Sequence, residues 1–384
     1  MTDSKLPFYN ILGEIEYLSG YPLSFGDWPS SGKPLSAEQQ SLIDETSYIL
    51  RKSPTEAHVR AEDLNLASFE DDSKVVARKI LPKKGTDLGD GIQKLGIEAR
   101  LLKWLSESTK LPVPRIQSPL DIQDRNIVIM DKLPGTMLLN TYGTLNTLAK
   151  ARPNILTSYA LIALELFELD VPQRIGTFDP DMVSGSFNVT PMISVHFRAT
   201  KVFEDIRQYL DFLFEMKKAS PLIDGDDGGN LDELKRHTDC ILADLSSNAN
   251  APTLFRCVLV HRDLNDMNIL VDKSGSITGV IDWEYQVLHP AVLAACYPPW
   301  LSYDGCSDPR FVNPIMTLWL DSPKESKRLR DLYLEFVKSR NHKYWEALVL
   351  GAQLRSCVEW LLSNACDPGC RRMKKWMEAT FSAS

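Results

Sequence analysis

Three oxygen-bearing side chains lie close together along the chain: Asp263, Asn268 and Asp282. Asp263 stands in His261-Arg262-Asp263-Leu264, and Asn268 follows shortly after. Phosphoryl transfer asks few groups of a protein. One carboxylate must hold the attacking hydroxyl, and oxygen ligands must hold Mg²⁺ on the phosphates. Asp263 suits the first task, and Asn268 and Asp282 suit the second. An Asp and an Asn at this spacing also fit an ordinary turn whose side chains bond its own backbone. His-Arg-Asp-Leu before Asn268, and Val280-Ile281-Asp282-Trp283-Glu284 after it, favour the chemical reading.

The flanking residues must bring these groups together. Residues 258–260 read as a short apolar strand and 263–267 as a polar turn. Residues 269–271 read as a second strand, which Lys273-Ser274-Gly275 turns into a third over 277–281. Such a hairpin leaves Asn268 just before one strand and Asp282 just after the other, so both oxygens emerge at one rim.

Upstream, residues 57–81 read as strands, of which Val75-Val76-Ala77-Arg78-Lys79-Ile80 is the strongest. Alternation puts Ala77 and Lys79 on one face and Val76 and Arg78 on the other. A small residue leaves room for a flat ring, so the Ala77 face is taken as the ligand side and Lys79 as the phosphate contact. A shift of one residue gives that role to Arg78. Residues 92–108 read as a helix. On it Glu98 shares a stripe with Leu101, Leu102 and Leu105 by i+3, i+4 and i+7 spacing. A carboxylate on a core-facing seam needs a partner, and Lys79 is the expected one. The alternative is a glutamate at the edge of the stripe that reaches solvent.

These residues resemble the aminoglycoside phosphotransferase and choline kinase group, small-molecule relatives of protein kinases. Ile281-Asp282-Trp283-Glu284-Tyr285 is similar to that group's metal-binding segment, and Cys296-Tyr297-Pro298-Pro299-Trp300-Leu301 resembles its fungal branch. The resemblance implies an α+β, two-lobed protein-kinase-like fold with ATP and Mg²⁺ between the lobes. It implies an N-terminal extension over 1–53, a small β-rich lobe over 54–133 and a larger helical lobe over 134–384. It further implies that Asp263 orients and deprotonates the acceptor, with His261 and Arg262 fixing the loop. Asn268 and Asp282 would hold the metal, and Lys79, set by Glu98, would hold phosphate. The backbone of Met130, Asp131, Lys132 and Leu133 would meet adenine.

The expected activity is therefore ATP- and Mg²⁺-dependent transfer to a hydroxyl or amine of a small molecule. One departure supports an alternative, a kinase fold that binds without turnover. No glycine occurs between Gly32 and Gly85, so the phosphate flap of protein kinases is missing, and the turn over 68–73 must serve instead. A protein kinase is disfavoured, because Asp282 is not followed by Phe-Gly.

Composition sets the outer bounds. The chain has 384 residues, a net charge of −8 and 43% hydrophobic residues, ordinary values for a soluble globular protein. The acidic balance argues against a broad nucleic-acid surface. Seven scattered cysteines without zinc spacing predict reduced thiols. No apolar leader core or membrane span is read, and a cytoplasmic location is expected. The remaining expectations are helices over 10–17, 36–52, 158–169, 200–217, 231–245, 322–339 and 342–362, and loops over 85–91 and 224–229.

Overall fold

The computed structural model describes backbone elements over residues 6–9, 15–18, 37–50, 54–61 and 64–69. Beyond these it describes residues 74–80, 88–118, 127–142, 151–194, 197–221, 229–308, 310–311, 320–364 and 366–381. Two strands open the chain, β1 (Leu6–Tyr9) and β2 (Ile15–Leu18), paired antiparallel. Of the helix expected over 10–17, residues 15–17 lie in β2 and residues 10–14 lie outside the described residues. Phe8 and Tyr9 in β1 and Ile15 and Tyr17 in β2 suit a pleated pair. The helix expected over 36–52 forms as α1 (Ala37–Leu50).

An antiparallel sheet follows, in the order β3 (Pro54–Ala61), β4 (Leu64–Phe69), β5 (Lys74–Lys79) and β6 (Ile127–Asp131). Between its last two strands runs α2 (Leu88–Ser108), which starts inside the loop expected over 85–91. The sheet has a helix on each face, which buries both rows of side chains. Val75, Ala77, Ile127 and Ile129 pack with Leu42 of α1. Val128, on the other face, packs with Leu95 and Ala99 of α2. Most of the turn over 68–73, expected near phosphate, lies outside the described residues, as does most of the acidic loop over 224–229.

Beyond Leu133-Pro134-Gly135 come β7 (Thr136–Met137), α3 (Leu138–Tyr142) and α4 (Arg152–Glu168). α4 is buried along Ile155, Tyr159, Ala160 and Phe167. A hairpin of β8 (Thr177–Pro180) and β9 (Phe187–Thr190) precedes α5 (Ile206–Lys218), α6 (Gly229–Ser247) and α7 (Ala251–Leu254). Next come β10 (Cys257–His261), β11 (Ile269–Val271), β12 (Ile277–Val280) and β13 (Gln286–Pro290). β11 pairs with β12 and with β7, and β10 pairs with β13.

The chain closes with α8 (Ala291–Ala294), α9 (Pro323–Arg340), α10 (His342–Leu350), α11 (Ala352–Leu362) and α12 (Arg371–Phe381). Ser322 caps α9 by accepting from the Glu325 N–H. The single helix expected over 342–362 is two, broken at Gly351. A Cβ there would stand 2.2 Å from the Val292 carbonyl oxygen, so only glycine lets the chain pass. A β-rich lobe above a larger helical one is the two-lobed, protein-kinase-like α+β fold.

Candidate active site

β10 delivers His261 to the start of the polar turn. The imidazole is 4% exposed. Its Nε2 donates to the Ile281 carbonyl at 2.9 Å, and its Nδ1 accepts from the Asp263 N–H at 3.3 Å. The ring meets Trp283 edge-on at 4.6 Å. Burial pushes its pKa down from 6.5 to about 4, so the ring is neutral and both nitrogens are occupied. With both nitrogens bonded, the ring ties the start of the turn to the end of β12. Arg262 turns away to His289, with Nη1 3.4 Å from that ring.

Two amides hold the Asp263 carboxylate. Asn265 Nδ2 donates to one oxygen at 2.9 Å, and Asn268 Nδ2 donates to the other at 3.1 Å and to the Asp263 carbonyl at 2.8 Å. Burial raises the carboxyl's pKa and these donors work against the rise. Asn265 is a contact that the sequence reading did not single out. Its only signal is an amide inside the polar turn. The Ile281 N–H donates to the Asn268 carbonyl at 3.0 Å. That bond sets Asn268 beside the end of β12, and Asp282 follows at once.

Asp282 has φ 66° and ψ 60°, and among the described residues it is the non-glycine with positive φ. Asp tolerates this left-handed region better than most residues. The bend carries the chain from β12 into a short 3₁₀ turn over Trp283–Tyr285. Trp283 is fully buried, its Nε1 donates to the Val280 carbonyl, and its backbone N–H donates to Glu98 Oε1 at 3.1 Å.

Glu98 is buried with Leu101, Leu102 and Leu105, as the helical stripe predicts. Its partner is Arg78, not Lys79. Arg78 Nη1 lies 3.0 Å from Glu98 Oε2 and 3.6 Å from Asp282 Oδ1, and Nη2 lies 3.1 Å from Glu284 Oε2. Lys79 Nζ points the other way and pairs with Glu45 of α1 at 2.7 Å. The premise about Ala77 fails for a physical reason. Ala77 is small because α1 packs on that face, so the Ala77–Lys79 row looks away from the cleft. Burial pushes the Glu98 pKa up to about 7 against the pull of Arg78. Asp282 is raised too, by burial first and then by Glu284.

The donor set fits a hard divalent cation. Three carboxylates share one guanidinium and so leave negative charge uncompensated. Asn268 spends its amide N–H groups on Asp263 and leaves its oxygen without a protein partner among the described residues. Oxygen ligands of this kind suit Mg²⁺. Among the described residues, no group of three or more His, Cys, Asp and Glu side chains is arranged to hold a metal ion, so the pair of Asn268 and Asp282 would need the phosphates and water to complete the shell.

The hinge stretch is mostly occupied. Met130 is paired with Val76 in the sheet. The Asp131 N–H donates to Arg115 and the Lys132 N–H to Lys74, both at 2.9 Å. The Leu133 N–H has no partner among the described residues. The Asp131 and Lys132 side chains lie outward, Asp131 accepting from Gln117 at 2.7 Å. Among the described residues, no helix is long and apolar enough to cross a membrane.

Comparison with known proteins bears on the family of the chain. The model of the phosphotransferase enzyme family matches residues 89–293. Clavilactone A biosynthesis cluster protein Y of Ampulloclitocybe clavipes is 38% identical over 388 residues, covering 97% of this chain and 95% of that one. Solved structures that resemble the chain include the streptomycin–ATP ternary complex of APH(2″)-IIa. It is 13% identical with a TM-score of 0.46, over 82% of this chain and 86% of that one. A putative fructosamine-3-kinase from Thermobifida fusca is 14% identical with a TM-score of 0.46, over 88% of this chain and 96% of that one. With a family match over more than half of its length and a relative aligned along nearly all of it, the chain belongs to the phosphotransferase enzyme family.

Proposed function

We propose that the chain transfers the γ-phosphoryl group of ATP to a hydroxyl or amine of a small molecule. The observation that carries this reading is the convergence of Asp263, Asn268 and Asp282 on one rim, through the Ile281–Asn268 and Asn268–Asp263 hydrogen bonds. In this reading Asp263 accepts the acceptor's proton as its oxygen attacks phosphorus. Asn265 and Asn268 aim that carboxylate. Asn268 and Asp282 are the residues that would hold Mg²⁺, which when bound neutralises charge on the phosphates. Arg78 is the cleft cation nearest that metal pair, held by Glu98, and replaces Lys79 as the proposed phosphate contact. The Leu133 N–H is the proposed donor to adenine.

Two observations support a small acceptor rather than a protein one. The stretch over 287–301 is largely core: Val287, Leu288, Ala291, Val292, Ala295 and Leu301 are fully buried, so over that stretch the described residues offer no exposed platform for a peptide. The A. clavipes relative is named for the biosynthesis cluster of clavilactone A, which is in keeping with a small acceptor. The reading is tested with radiolabelled ATP and a cell extract split by size. Label in a small-molecule fraction, lost with Asp263→Asn, is the expected result. Label only in protein bands, or none with wild type, contradicts it.

A further inference from the structure

α2 carries Glu98 and, besides covering one face of the sheet, packs on the β8–β9 hairpin. Arg100 Nε donates to Asp179 Oδ1 of β8 at 2.7 Å. Trp104 stands edge-to-face on Phe178 at 5.1 Å and on Phe187 at 5.6 Å, and those two rings meet at 5.3 Å. Phe178 is in turn fixed from below. Its N–H donates to Gln286 Oε1 at 3.2 Å, and its carbonyl accepts from Gln286 Nε2 at 2.6 Å. Gln286 is 1% exposed and pairs with His261 across β10 and β13. It directly follows Trp283-Glu284-Tyr285, and the Trp283 N–H returns to Glu98. The contacts therefore close a ring from Glu98 along α2 to β8, through Gln286, and back to Glu98.

We infer that the β8–β9 hairpin is a clasp that fixes α2 to the helical lobe, and that Asp179, Phe187 and Gln286 are positioning residues that set Glu98 against Arg78. The inference rests on the reading of Arg78, Glu98 and Asp282 as the nucleotide site. Its consequence is mechanical. The hairpin adds a second anchor to a helix that also packs on the sheet through Leu95 and Ala99, so loosening the hairpin frees Glu98 to shift against Arg78. Both ends of the ion pair are mostly buried, with Arg100 30% and Asp179 16% exposed, so solvent screens the pair only in part. The aromatic contacts add a geometric preference, since edge-to-face rings hold one mutual orientation.

The test uses the full chain and two readouts. Amide hydrogen exchange over residues 92–105 is compared in wild type, Asp179→Asn, Asp179→Glu and Phe187→Ala. Phe187 is 42% exposed, so its truncation leaves the core in place. Mg-ATP affinity and Tm are measured on the same samples. Asp179→Asn and Phe187→Ala are expected to speed exchange in α2 about ten-fold, and Asp179→Glu to preserve protection. Asp179→Asn is expected to weaken Mg-ATP binding about three- to five-fold with Tm nearly unchanged. The same change placed on Glu98→Gln is expected to add no further loss, because it acts through Glu98. Unchanged exchange in both Asp179→Asn and Phe187→Ala, or losses that multiply on Glu98→Gln, would overturn the clasp. A wild-type protein that binds no Mg-ATP would overturn the proposed function, and the exchange result would then decide the clasp alone.

Discussion

The two sides of the cleft are built differently. Below, Asp263, Asn268 and Asp282 are held by bonds made within one stretch of chain: His261 to Ile281, Asn268 to Asp263, and Ile281 to Asn268. Above, Arg78 is placed by Glu98 on α2 and by Asp282 and Glu284 from the lower side. The face it occupies is decided by where α1 packs. The lower set is therefore robust to change elsewhere in the fold. The upper set depends on the docking of two helices, and it should be the side where distant substitutions are felt.

The largest effect should come from the lower side. Asp263→Asn keeps the shape but removes the carboxylate, and transfer should fall by about 10²–10⁴-fold with Mg-ATP affinity nearly unchanged. Steady-state transfer and calorimetric binding on the same samples check this. An active variant would show that the loop only shapes the site. Arg78→Ala should come next. It leaves Glu98, which is 4% exposed, without its cation. Without that cation the Glu98 pKa, already about 7, rises further and the carboxyl takes up a proton, so Tm should fall only modestly while nucleotide binding is lost. Arg78→Lys should recover part of both.

A third expectation concerns the buried imidazole that ties the lower stretch together. The folded-state pKa of His261 lies near 4, below its ordinary 6.5. The unfolded chain therefore binds the extra proton first as pH falls. The stability contributed by keeping this ring neutral is full above pH 6.5 and disappears as pH falls toward 4. It amounts to about 3–4 kcal/mol in all, of which about 2–3 kcal/mol is lost between pH 7 and pH 4.5. Urea unfolding at pH 7 and pH 4.5 should show a smaller gap for His261→Gln than for wild type. An equal gap would mean that the ring is not held neutral. The smallest effect should be Lys79→Ala. Its pair with Glu45 is part-exposed, and such pairs are worth about 0–1 kcal/mol.

The same contrast explains what could be read in advance. The turn over 261–268 was legible because its geometry is local: apolar runs, a Ser-Gly turn and the Asp–Asn spacing define one hairpin, and β10, β11 and β12 form where expected. The buried stripe with Glu98 was legible because helical periodicity alone creates it. The orientation of β5 was not. Alternation separates Arg78 from Lys79, but a small residue such as Ala77 admits either a ligand or a packed helix. Leu42 lies far upstream, and nothing near Ala77 announces it. Gln286 escaped notice because its partner Phe178 is remote in sequence. The break at Gly351 was hidden because the obstacle is the Val292 carbonyl, set by tertiary packing.

The central claim is that the Arg78 row of β5, and not the Lys79 row, faces nucleotide. Calorimetric titration of Mg-ATP into wild type, Arg78→Ala and Lys79→Ala tests it most directly. The account predicts that Lys79→Ala binds as wild type does and that Arg78→Ala binds at least about ten-fold more weakly. Normal binding by Arg78→Ala, with binding lost in Lys79→Ala, would contradict it.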